Sequence, residues 1–163
     1  MNTLKKTTLA LLLVKAASAN AGMLGDTTAW LIGKLAGKTI SGISAKPQPI
    51  NEKELAGIAN ETNKLLPKFI DKDTRFDNMT SGPGRRLNSN YTIVTEVASS
   101  FRDIDKASLL KYMQSRLTPE ACVQPSLQYI IKDGVTLGYS YHGSDGGAIG
   151  EFDITAKDCG YAN

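Results

Sequence analysis

Four groups of residues in this chain have types and spacings that invite chemistry. The stretch GKLAGKT, from Gly33 to Thr39, ends like a phosphate-binding loop. Such a loop needs four residues between its first glycine and the Gly-Lys-Ser/Thr, so that successive backbone N–H groups can wrap the phosphates. Here only Lys34, Leu35 and Ala36 intervene, and no nucleotide or other cofactor is expected. His142, the sole histidine, stands near Ser144 and Asp145, the ingredients of a nucleophilic triad. A triad draws its members from separate elements around one point, however, whereas Ser144 and Asp145 have the composition of a turn. Asp71, Asp73 and Asp77 have the beginnings of calcium-loop spacing, but Arg75 takes the third ligand position and the required glycine is missing. No metal site is expected. Glu151 and Asp153 fall on one face of a strand pattern, the solvent side, with no opposing carboxylate to complete a hydrolytic pair.

Cys122 and Cys159 are the only cysteines. Two cysteines 37 positions apart with a single histidine make a poor zinc set. In an exported chain they predict one disulfide.

The start of the chain predicts export. Lys5 and Lys6 precede the apolar run Leu9–Val14, and Ala19-Asn20-Ala21 offers a small-residue cleavage site. The apolar run is shorter than the roughly 20 residues a membrane span requires. The whole chain carries 19 Lys and Arg against 16 Asp and Glu, but Lys5, Lys6 and Lys15 belong to the signal segment. The mature balance is therefore neutral, without a basic cluster, and no nucleic-acid partner is expected. The expected localisation is periplasmic or secreted.

Small residues recur every four positions through Gly25, Ala29, Gly33, Gly37, Ser41 and Ala45. On a helix these form a stripe that another surface can approach closely. Leu24, Trp30, Leu31, Gly33, Leu35, Gly37 and Ile40 are the candidate contact residues of such an amphipathic helix, against a partner protein or a membrane surface. The linker SAKPQPI ends this segment.

The elements of the main domain follow from periodicity. Asn51, with Glu54 three residues on, predicts a capping box for a helix carrying Leu55, Ile58, Ala59, Thr62, Leu65 and Leu66, stopped by Pro67. A strand over Thr74–Thr80 and a second through Tyr91, Ile93, Thr95 and Val97 predict a hairpin joined by the long loop SGPGRRLNSN. Asp103 or Asp105 should cap a helix with Ala107, Leu110, Met113 and Leu117, and Thr118-Pro119 should restart a short turn containing Cys122. Leu127, Ile130 and Ile131 predict another helix with Gly134 at a left-handed cap. VTLGYSYH and AIGEFDIT flank a turn and predict a second hairpin.

The expected fold is α+β: a four-stranded, mostly antiparallel sheet of two hairpins, packed on one side by helices and closed by one disulfide. The expected organisation is a signal peptide over 1–21, a Gly/Ala-rich amphipathic helix with a Pro linker over 22–49, and the disulfide-bonded domain over 50–163.

The succession LLKYMQSRLTPEAC, SLQYIIKDG, VTLGYSYH, GSDGG and AIGEFDITAKDC resembles small exported bacterial α+β proteins with two cysteines. More remotely, it is similar to the disulfide-bonded pilotins of type II secretion systems. The resemblance spans residues 50–159 as topology and carries no functional motif, and the signal segment lacks the cysteine that a lipid anchor would need. Together these readings lead to the expectation of a non-enzymatic, protein-binding accessory of envelope assembly. The alternatives are a membrane-associated factor acting through residues 24–43 and a small periplasmic hydrolase.

Overall fold

The computed structural model describes residues 49–161. Helix α1 (Glu52–Asn63) opens on the expected capping box: the Asn51 side chain accepts from the Glu54 N–H, and the Glu54 carboxylate accepts from the Asn51 N–H. It is followed by β1 (Lys68–Phe69), β2 (Thr74–Gly82) and β3 (Arg86–Ile93). A 3₁₀ turn (Ala98–Phe101) leads into α2 (Lys106–Val123) and α3 (Pro125–Lys132), and the chain closes with β4 (Thr136–Gly143) and β5 (Ala148–Ile154).

The strands form one mixed sheet in the order β1-β2-β3-β4-β5. It has five strands rather than the expected four, because the pair Lys68–Phe69 adds to β2 beside Arg75 and Phe76. Two residues are too few for periodicity to register. Both hairpins are present and antiparallel, but β3 and β4 run parallel. That direction is imposed by the crossover through α2 and α3.

Three boundaries differ from expectation. The first hairpin turns within Pro83-Gly84-Arg85, so RLNSN belongs to β3 and not to a loop. Its backbone there is left-handed at both Gly84 and Arg85. β3 ends at Ile93, leaving Thr95 and Val97 outside it. Helix α2 does not break at Pro119 but runs through it. Asp105, not Asp103, caps α2, accepting from the Ala107 and Ser108 N–H groups. Its core stripe is Leu109, Met113, Leu117 and Ala121, so Ala107 faces solvent. After α3, Gly134 takes the expected left-handed conformation at φ 87°.

The core face of the sheet carries a row of aromatic rings across four strands. Phe76 stacks on Tyr91 at 4.8 Å, Tyr91 on Tyr141 at 5.1 Å, and Tyr139 on Phe152 at 5.2 Å. Each pair lies directly opposite in the strand register, the arrangement in which cross-strand side chains reinforce one another. Leu55 and Ile58 of α1 and the stripe of α2 belong to the same buried cluster. Gly150 makes room for α2: a Cβ there would lie 2.7 Å from Leu110 Cδ1.

Cys122 and Cys159 form the expected disulfide, with Cα atoms 5.4 Å apart. The Tyr161 hydroxyl donates to the Cys122 carbonyl at 2.8 Å, and Gln128 Nε2 donates to the same oxygen at 3.1 Å. The end of α2 is thus tied to the turn after β5.

Candidate functional site

Alternation along the strands puts one set of side chains on the aromatic core and the other on a face that the described helices leave uncovered. On that second face stand Asp77 of β2, Asn88, Asn90 and Thr92 of β3, Ser140 of β4 and Glu151 of β5. They are polar throughout, and they bond to one another across the strands. Asn90 Nδ2 donates to Asn78 Oδ1 at 2.8 Å, and Asn88 Nδ2 donates both to Asn90 Oδ1 and to Ser140 Oγ at 3.1 Å. Thr92 Oγ1 donates to Asp77, which also pairs with Arg75.

Arg86 reaches across the width of β4 to pair with Asp153 on β5. The path lies over Gly138, where any Cβ would be 2.8 Å from Arg86 Cζ and would collide with the Asn88 carboxamide. Beyond this pair the face opens into a depression of about 520 Å³ lined by Arg86, Gln114, Glu151, Phe152, Asp153 and Asp158. Its three carboxylates face one guanidinium. Asp158 is held by the Thr155 N–H and hydroxyl, and Asp153 by Arg86. Glu151 is exposed, and among the described residues it accepts only from Ser140 Oγ, at 3.5 Å.

The other candidate groups go to structural work. Asp145 accepts from the Ala98 and Gly147 N–H groups. The first of these, then the second, holds its carboxyl below the usual range. It closes the β4–β5 turn against the 3₁₀ turn and does not orient His142. Asp71 accepts from the Asp73 and Thr74 N–H groups at 2.8 Å, Asp73 pairs with Lys72 and Asp77 with Arg75. The three carboxylates therefore turn to different partners instead of converging. Among the described residues no group of three or more His, Cys, Asp or Glu is placed to hold a metal ion. Tyr91 and Tyr139 have phenols raised above their ordinary range by burial; they act as core rings.

Glu151 and Asp153 fall on the uncovered face, as their spacing indicates. Leu24, Trp30, Leu31, Gly33, Leu35, Gly37 and Ile40 lie outside the described residues. The contributions of Arg86, Asn88, Asn90, Ser140 and Gln114 went unread in the sequence. Arg86-x-Asn88-x-Asn90-x-Thr92 does alternate with Leu87, Ser89, Tyr91 and Ile93, a strand signal hidden by its loop-like composition. No described helix is long and apolar enough to cross a membrane.

No protein-family model matches the chain, and no curated protein matches it in sequence. Solved structures that share its fold include the following two. One is a candidate secreted protein of Pseudomonas aeruginosa, 20% identical, with a TM-score of 0.55 over 66% of this chain and 91% of that one. The other is a pilotin of the Vibrio vulnificus type 2 secretion system, 15% identical, with a TM-score of 0.51 over 66% of this chain and 90% of that one.

Proposed function

We propose that the chain is an exported, non-enzymatic domain that binds another envelope protein and assists its assembly. The observation that carries this reading is the uncovered, hydrogen-bonded face of the sheet with its depression beside β5. A face whose polar groups are already satisfied by one another stays soluble when free and offers fixed donors and acceptors to a partner. The secretory character of residues 1–21 and the disulfide fit an oxidising compartment outside the cytoplasm. The fold shared with a candidate secreted protein and with a secretion-system pilotin supports the same role.

The test is capture of partners from the native envelope, with Asn88→Arg as the control variant. Specific capture by the wild type, lost in a folded Asn88→Arg protein, is the expected result. Equal capture by both overturns the assignment to this face.

A second reading rests on the four-residue rhythm from Gly25 to Ala45: a membrane-associated factor acting through residues 24–43. Flotation with anionic liposomes tests it. Migration of the mature protein with the vesicles supports this reading, and its absence removes it.

A further inference from the structure

The two edges of the sheet are treated differently. β1 covers β2 only beside Arg75 and Phe76. Further along β2, Asn63 closes the edge: its carboxamide donates to the Met79 carbonyl at 2.8 Å and accepts from the Met79 N–H at 2.7 Å. A side-chain amide thus takes the place of a neighbouring strand's peptide group. At the opposite edge Gln114 of α2 does half as much, donating to the Asp153 carbonyl at 2.7 Å. That bond shows that the outward groups of β5 are those of Asp153. Alternation then places the N–H and C=O of Glu151 on the same outer side. No other described residue bonds to them or to the Asp153 N–H. An edge with unmade backbone bonds is the surface to which an extended segment adds.

We propose that the outer edge of β5, from Glu151 to Asp153, takes up an extended, lysine- or arginine-bearing segment of a partner protein as an added strand. This rests on the protein-binding reading above and specifies its partner. Charge selects the occupant. The depression along this edge is lined by Glu151, Asp153 and Asp158 with Arg86 as its one cation, and the Glu151 carboxylate stands exposed without an ion pair among the described residues. A cation on the incoming strand meets Glu151 across the new pairing. A second copy of this chain, paired edge to edge through β5, sets Glu151 and Asp153 among like charges, which opposes self-association.

The experiment follows backbone amide signals of the folded, oxidised protein by NMR. The probes are a capped nine-residue peptide of alternating lysine and valine and its glutamate counterpart. The lysine peptide is expected to shift the Glu151 and Asp153 amide signals and slow their hydrogen exchange. The glutamate peptide should bind at least tenfold more weakly. Glu151→Pro removes one outward N–H without breaking a ladder bond, and it should abolish the effect. Glu151→Lys, which keeps the backbone intact should the proline variant unfold, should reverse the peptide preference. Failure of the lysine peptide to protect these amides at millimolar concentration overturns the proposal. So does protection that rises with protein concentration in the absence of peptide, which assigns the edge to self-pairing. Envelope capture that survives in Glu151→Lys retains the protein-binding role and removes only this edge. Peptide binding without any envelope partner does the reverse.

Discussion

Gly138 is the residue on which the uncovered face turns. Arg86 can reach Asp153 only across a position without a side chain, so Gly138→Ala must displace both the guanidinium and the Asn88 carboxamide. The expected destabilisation is about 1–3 kcal/mol, the usual cost of forcing atoms into filled space, read as a lower denaturation midpoint with an unchanged slope. Glu120 gives a prediction with a pH signature. Its Oε2 is buried with no hydrogen-bond partner among the described residues, and desolvation raises its carboxyl above the usual range despite Arg116. The folded state therefore holds this proton more tightly than the unfolded chain does. Stability from that preference is present below the unfolded carboxyl's pKa and is lost as pH rises through the folded value. Glu120→Gln should accordingly stabilise the protein at neutral pH, by less than about 1 kcal/mol since the side chain is partly solvated, and change little in acid. Thermal unfolding at the two pH values checks both statements. Neither residue could be picked out in the sequence. Gly138 is one of 15 glycines, and a carboxyl's burial is a property of packing.

At the scale of elements, the disulfide has a measurable consequence. It closes a 37-residue loop, which on the chain-entropy account is worth about 3–4 kcal/mol. Cys122→Ser should lower the denaturation midpoint accordingly under oxidising conditions and have no effect once the wild type is reduced. Equal midpoints before and after reduction would contradict it. The pairing was legible because two cysteines in a chain that opens with a secretory pattern leave few options. The capping box at Asn51, the left-handed cap at Gly134 and the second hairpin were legible because each is set by residues close in the chain. What was not legible had a distant cause. The parallel seam depends on where α2 and α3 deliver β4. The continuity of α2 through Pro119 is sustained by Leu117 and Ala121, buried on either side of it. β3 was not legible because Asn is a loop former by itself and a strand residue only where Asn78 and Ser140 stand beside it to accept from Asn90 and Asn88.

For the whole molecule, the boundary near residue 50 is the claim most easily tested. Within the described residues, α1 is anchored by Ile50: its N–H donates to Asp133 Oδ2 at 2.7 Å, and its carbonyl accepts from Arg85 Nε at 2.8 Å. A chain beginning at Ala45 should therefore keep a cooperative thermal transition at the temperature of one beginning at residue 22. A lowered transition would place part of the core in the preceding residues.

The parallel seam between β3 and β4 also has a consequence for how the sheet assembles. The β2–β3 and β4–β5 hairpins each join neighbouring stretches of chain, whereas β3 meets β4 only after the long excursion through α2 and α3. Contacts distant in sequence close slowly, because the intervening chain must first give up its freedom. The two halves would then zip separately and fuse along this seam last. The crosslink offers no shortcut, since Cys122 and Cys159 both lie after β3. A newly made chain would therefore spend its most vulnerable interval with the inner edges of β3 and β4 unsatisfied, whether or not its cysteines had already been oxidised.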